Sequence, residues 1–169
     1  AMVKMGVYGA LLVCLRLLPA GPAWWGLLLV AFGAVSAVYG ILQASVTSFI
    51  MEGVFERLPE LKVVLIESGF GWLPALGWRL DKHWKRLKDE VPHLKMAPSE
   101  YIRKHFWVTT QPMEETENPD HLIEVINWVG MDRIMFSSDY PHWDFDDPFV
   151  ALPPSLTDEQ RRNIYAGNA

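Results

Sequence analysis

The segment Arg133 to Asp147, RIMFSSDYPHWDFDD, concentrates side chains that could do chemistry. An apolar run (Ile134, Met135, Phe136) stops at two serines, and a carboxylate, Asp139, follows at once. Tyr140, Pro141, His142, Trp143 and the acids Asp144, Asp146 and Asp147 come next. A buried strand that delivers an Asp from its C-terminal end is how α/β barrels and open α/β sheets present catalytic groups. An Asp beside a proline is also a common turn cap. The spacing alone leaves both roles open.

For Asp139 to stand at such an edge, strands must alternate with helices upstream, and from Ser45 they do. Val46, Phe49, Ile50, Val54 and Phe55 recur at helical spacing over Ser45–Arg57. Lys62–Ile66 (KVVLI) has the β-branched density of a buried strand and leads into Glu67-Ser68-Gly69-Phe70-Gly71, where glycines permit a tight turn. Leu73, Leu76, Leu80, Trp84 and Leu87 mark the apolar face of the next helix. On its other faces are Arg79, Lys82, Lys85, Arg86 and Lys88, with Asp81 and Lys85 spaced for an i,i+4 pair. A short helix over Pro98–His105 precedes a second strand, Phe106–Thr109. The acidic stretch Glu114–Asp120 reads as a loop into a helix that opens at Pro119 and stops at Gly130. Arg133–Ser137 is the third strand. Thr157 to Gln160 has the form of a capping box, with a helix to about Tyr165.

This alternation predicts an α/β fold with parallel strands and right-handed crossovers. Each strand ends in a polar cluster: Glu67-Ser68, Thr109-Thr110-Gln111 and Ser137-Ser138-Asp139. Three such clusters on one edge of a parallel sheet would form a site.

The chain before Ser45 is built for a different solvent. Residues 1 to 51 contain only two charges, Lys4 and Arg16. Pro19 to Pro22 breaks this stretch into two apolar runs. Ala23 to Leu42 has the length to span a bilayer, and Trp24 and Trp25 stand where an interfacial belt would be. The expectation is a hydrophobic helical hairpin over residues 1–44, membrane-associated through residues 5–42, ahead of an α/β part over 45–169. The net charge of −5, with no basic stripe, gives no reason to expect a nucleic-acid partner. The lone cysteine, Cys14, excludes an internal disulfide and a thiolate zinc cluster.

Two resemblances attach to these halves. MVKMGVYGALLVCLRLLPAGPAWWGLLLVAFGAVSAVYGILQA is similar to two consecutive transmembrane helices of the proton-translocating antiporter-like subunits of complex I and membrane-bound hydrogenases, with Lys4 on the position of a proton-path lysine. From about Ser45, GVFERLPELKVVLIESGFGWLPALGWRLD, IRKHFWVTTQP, DRIMFSSDYPHWD and LTDEQRRNIYAGNA resemble the C-terminal part of the amidohydrolase-related proteins. These include aminocarboxymuconate-semialdehyde decarboxylase.

The second resemblance implies the last three βα units of a distorted (β/α)8 barrel. It implies a metal-dependent hydrolase or decarboxylase for a small carboxylate or amide substrate, cytoplasmic unless the hairpin anchors it in a membrane. It places Asp139 on the family's metal-binding or water-activating carboxylate, with zinc the expected divalent metal. Glu67 stands where the family often has a histidine; a glutamate can do acid–base work when buried. His142 is either a group beside the substrate or an ordinary loop histidine. The family's His-x-His pair and further ligand histidine have no counterpart, and a zinc site needs three or four ligands. Fragments of two families therefore meet near Gln43 to Ser45, and the chain alone is expected to be inactive, with open sheet edges through which it could self-associate. The other reading is a membrane fragment of antiporter type with an incidental tail.

Overall fold

A computed structural model describes residues 40–143 and 145–169 of the chain. By contacts the chain divides into two units, Ala1–Ile41 and Leu42–Ala169. Among the described residues no helix is long and apolar enough to cross a membrane. Apart from residues 40–44, the expected hairpin lies outside the described residues, as do Lys4 and Cys14.

The expected helix over Ser45–Arg57 forms in two pieces, α1 (residues 40–51) and α2 (Val54–Arg57). The break is at Gly53, whose φ of 67° a side chain would resist. A Cβ there would also lie 2.6 Å from the His93 ring, whose Nε2 bonds the Met51 carbonyl at 2.8 Å. The remaining elements follow the predicted order: β1 (Val63–Leu65), α3 (Leu73–Trp84), α4 (Pro98–His105), β2 (Phe106–Thr109), α5 (Pro119–Val129), β3 (Ile134–Met135) and α6 (Asp158–Arg162), which runs on through a π-turn over Asn163–Gly167. Local signals account for their ends. The Asn118 side chain accepts the Asp120 N–H ahead of α5, Gly130 (φ 117°) stops it, and Thr157 and Gln160 close the capping box before α6.

The strands form a parallel sheet in the order β1-β2-β3. Val63 is registered with Phe106, and Val108 with Ile134. Because side chains alternate across a strand, Val63, Leu65, Phe106, Val108 and Ile134 share one face. The core is assembled on that face. Phe55 stacks on His105 at 4.2 Å and meets Phe106 edge-on at 5.4 Å. Phe70, Leu73, Tyr101, Ile102, Ile126, Val129 and Ile164 complete the layer. The C-terminal segment is fastened to β3, with Phe136 N–H donating to the Ile164 carbonyl (2.8 Å) and the Asn168 amide to the carbonyls of Met131 and Ile134 (2.8 and 2.7 Å).

The other face departs from expectation. The KVVLI run reads as a buried strand, yet Val64 is 46% and Ile66 64% exposed. Helices cover one face of the sheet, and among the described residues no second layer covers the other. Trp107, on this open face, is shielded by Lys62 and Arg133, whose cationic groups stand 5.0 and 4.1 Å from its ring. The expected Asp81–Lys85 pair is also absent. Asp81 accepts the backbone N–H (2.9 Å) and hydroxyl (2.7 Å) of Ser99 instead, which satisfies a free donor in the first turn of α4.

Candidate functional site

The C-terminal ends of the three strands are tied together by two consecutive threonines at the end of β2. Thr109 Oγ1 accepts the Glu67 N–H at 3.2 Å, holding the end of the β1 segment. Thr110 Oγ1 accepts the Ser137 N–H at 3.0 Å, holding the β3 segment on the other side. Consecutive residues on a strand point to opposite faces, and here the ladder ends so that each hydroxyl reaches a different neighbour. Both threonines and Gln111 are buried. The polar cluster expected at this edge is present, and its role is to join the strands.

Asp139 and Glu67 share a backbone feature. Among the described residues they are the non-glycine residues with positive φ, at 55° and 52°. Aspartate tolerates the left-handed region moderately well and glutamate poorly. Such conformations cost about 1–3 kcal/mol and gather at functional sites.

Asp139 follows β3 and closes a turn in which the His142 N–H donates to the Asp139 carbonyl at 2.9 Å. Asp139 therefore takes the turn role that its place beside Pro141 allows. The same turn brings His142 Nδ1 to 2.9 Å from Asp139 Oδ2. Asp139's side chain is 16% exposed and that of His142 66%, so the carboxylate is largely enclosed and the imidazole faces solvent. Ser138 steadies the segment by accepting the Asp146 N–H on its carbonyl (2.9 Å). Tyr165 packs edge-on against Phe136 and donates its hydroxyl to the Pro148 carbonyl, anchoring the loop farther along.

Glu67 opens the turn into α3. Phe70 and Gly71 N–H both donate to Glu114 Oε1, at 3.0 and 2.5 Å, and the Trp72 indole N–H donates to the carbonyls of Ser68 and Gly69 at 3.0 and 3.1 Å. The Glu67 side chain is exposed, so the burial expected of an acid–base glutamate is not seen among the described residues. Asp139 and His142 are brought into contact. Glu67 stands on the same edge with β2 between, so about 10 Å of sheet separates their strands.

Glu114 was missed from sequence. It lies in an acidic run that reads as solvated loop, and its partners are more than 40 residues away. The only available signal was the pair of glycines, which leave room for something to approach the turn. A cleft of about 490 Å³, lined by Glu114, Leu122, Phe145, Asp146, Leu152 and Pro153 among others, lies beside the edge. Neither Asp139, Glu67 nor His142 lines it, and the hydrogen-bonded pair is the better guide to chemistry.

The amidohydrolase family model matches residues 28–169. The chain belongs to the amidohydrolase family. This member is 33% identical over 155 residues to a gamma-resorcylate decarboxylase from Polaromonas sp. (strain JS666), a match covering 88% of the chain and 41% of that relative. It therefore spans less than half the length of this relative. Its fold is similar to the crystal structure of dihydroxybenzoic acid decarboxylase from Polaromonas sp. JS666, solved with bound manganese and the inhibitor 2-nitroresorcinol. That similarity has a TM-score of 0.56 and 26% identity, covering 75% of this chain and 37% of that one. A second, short similarity joins the amidohydrolase to hydrogenase-4 component B of Escherichia coli, 49% identical over 45 residues, or 25% of this chain and 7% of that one. It agrees with the expected hydrogenase-type resemblance only at that coarse level.

Proposed function

We propose that this chain carries the closing three βα units of a (β/α)8 barrel from a metal-dependent amidohydrolase-type enzyme. Its chemistry is decarboxylation or hydrolysis of a small carboxylate or amide in the cytoplasm. One observation supports this best: Asp139, left-handed and largely enclosed at the end of β3, is hydrogen-bonded to His142. The decarboxylase relatives favour decarboxylation.

The fit to a metal is partial. Among the described residues no group of three or more His, Cys, Asp or Glu side chains could hold an ion. Asp139 supplies one carboxylate where zinc or manganese asks for several ligands. The residues present can still move a proton. In the 2.9 Å contact the Asp139 carboxylate orients the imidazole through Nδ1, and an Asp–His pair of this kind can exchange a proton with a substrate group. Glu67 is a second carboxylate at the same edge. Phe136 and the Thr110–Ser137 bond fix the distance between the Asp139 turn and the sheet.

Titration calorimetry with zinc and with manganese tests the reading, run on this chain and on Asp139→Ala. The expected result is weak binding by the chain, none by the variant, and no turnover by either. Equal binding by both proteins would remove Asp139 from the site and overturn the assignment. Tight binding abolished by the substitution would show that the ligand set is fuller than one carboxylate.

A further inference from the structure

The turn that presents Glu67 is not held by its own strand and helix alone. Glu114, five residues past the end of β2, reaches across to it, and a single oxygen, Oε1, takes both the Phe70 and the Gly71 N–H. These donors stand just ahead of α3, where backbone N–H groups have no partner within the helix and negative charge is favoured. The turn is shaped around this carboxylate. A Cβ on Gly71 would lie 2.8 Å from Oε1, and one on Gly69, itself at φ 59°, 3.0 Å from it. Both glycines are therefore occupied by the approach of Glu114. Its second oxygen, Oε2, is buried and has no hydrogen-bond partner. An orphaned buried oxygen is a cost, so the residue serves something other than its own hydrogen bonding.

We propose that Glu114 is the positioning residue for Glu67: its carboxylate fixes the backbone of the β1–α3 turn and thereby holds Glu67 in its left-handed conformation at the sheet edge. The importance of this for catalysis rests on the reading of Glu67 given above. The clamp itself does not. Thr109 secures the Glu67 N–H from one side and Glu114 secures the turn three residues on, so Glu67 is stretched between two fixed points. Trp72 is the competing restraint, since its indole ties the Ser68 and Gly69 carbonyls.

Nuclear magnetic resonance on the isotope-labelled whole chain separates the two. Amide exchange is read at Phe70, Gly71 and the core residues Val108 and Ile134, together with the HN–Hα coupling that reports the φ of Glu67. In Glu114→Ala, exchange at Phe70 and Gly71 should accelerate roughly ten- to a hundredfold, the loss expected for bonds to a charged acceptor. The Glu67 coupling should leave its left-handed value, with Val108 and Ile134 unchanged. Formate added to this variant should reoccupy the two N–H groups and restore both signals. Glu114→Gln, which keeps an acceptor oxygen, should retain most of the protection.

An unchanged Glu67 coupling in Glu114→Ala would overturn the proposal, and more firmly if Trp72→Phe moved it. So would equal acceleration at the core residues, which marks a general loss of stability. Should Glu114→Ala not fold, Gly71→Ala supplies the same test by pushing the carboxylate out of the turn, with the same signature expected. The calorimetry of Asp139 reads the functional assignment alone and the exchange pattern reads the clamp alone, so either can fail without the other.

Discussion

The two faces of the three-stranded sheet are built on opposite terms. On one, Phe106, Val108 and Ile134 are buried at 1% exposure or less beneath helices and aromatic rings. On the other, Val64 and Ile66 face solvent and the side chains of Lys62 and Arg133 lie over Trp107. The first face stabilises the fold. The second is the face that a barrel would turn inward, and the polar edge with Asp139 lies at its rim. Substitutions on the covered face should therefore act on stability, and substitutions at the edge should act locally.

The largest effect should come from Phe106→Ala. Its ring is almost fully enclosed and touches Phe55 and Phe49 edge-on. Truncating a buried Phe removes transfer energy and leaves a cavity, at about 3–5 kcal/mol. That is a large share of the stability of a domain this size. Urea unfolding followed by tryptophan fluorescence should show a midpoint shifted far down, or no folded baseline. A shift like that of a surface substitution would mean that the covered face is not where the stability lies.

Next in size is Gly71→Ala, at the edge. The added methyl would meet the Glu114 carboxylate, with the nearest atoms at 2.8 and 2.9 Å. Displacing a charged acceptor from two backbone donors costs about 1–3 kcal/mol. Urea unfolding should register a loss smaller than that of Phe106→Ala. A loss as large would erase the distinction between face and edge.

A third measurement uses pH. Tyr101, buried in the core, donates its hydroxyl to Glu56, which also pairs with Lys95 at 2.6 Å. The Lys95 and Tyr101 hydrogen bonds hold the Glu56 carboxyl below its ordinary 4.5. The folded value lies below the unfolded one, so the stability this group contributes is present above about pH 4.5 and is lost as pH falls through the lowered value. Tyr101 shifts the other way, raised above 10.0 by burial and then by Glu56, so its contribution is present below pH 10.0 and is lost as pH rises through the raised value. Melting temperature measured against pH should fall at both ends. Glu56→Gln should flatten the acid limb, and an unchanged acid limb would assign that loss to other carboxylates.

How much of this was legible in the sequence divides along the same line. The covered face was readable because its signals are local and periodic: the FWVT run, the Leu73-to-Trp84 spacing, Gly130 as a stop and Thr157 with Gln160 as a cap. The contact between Asp139 and His142 is local, since both lie within one four-residue turn, yet the spacing left Asp139 open between a turn cap and a chemical group. Glu114 was not readable, because its partners are fixed only when β1 and β2 pair. The Asp81–Lys85 pair failed for a similar reason: a helix-surface spacing cannot show that Ser99, eighteen residues on, offers two donors to the same carboxylate. The exposure of Val64 and Ile66 was hidden as well, since a β-branched run looks the same whether one face or both are covered.

The smallest effect on stability should come from the open face. Ile66 lies just past β1 and is 64% exposed, so replacing it with serine removes little buried area and should change unfolding free energy by no more than about 0.5 kcal/mol. Its effect on association should be larger. Among the described residues β1 is an edge strand that pairs on one side only, and Val64 and Ile66 extend an apolar strip beside that edge. Such an edge is a template for another strand. Sedimentation velocity across a concentration series should show the chain associating as concentration rises, with Ile66→Ser moving that onset upward while the urea midpoint stays put. If both proteins sediment identically at every concentration, the open face does not mediate contact between copies. If the urea midpoint falls along with the association, Ile66 belongs with the covered face, and the contrast between the two sides of the sheet fails at the residue chosen to mark it.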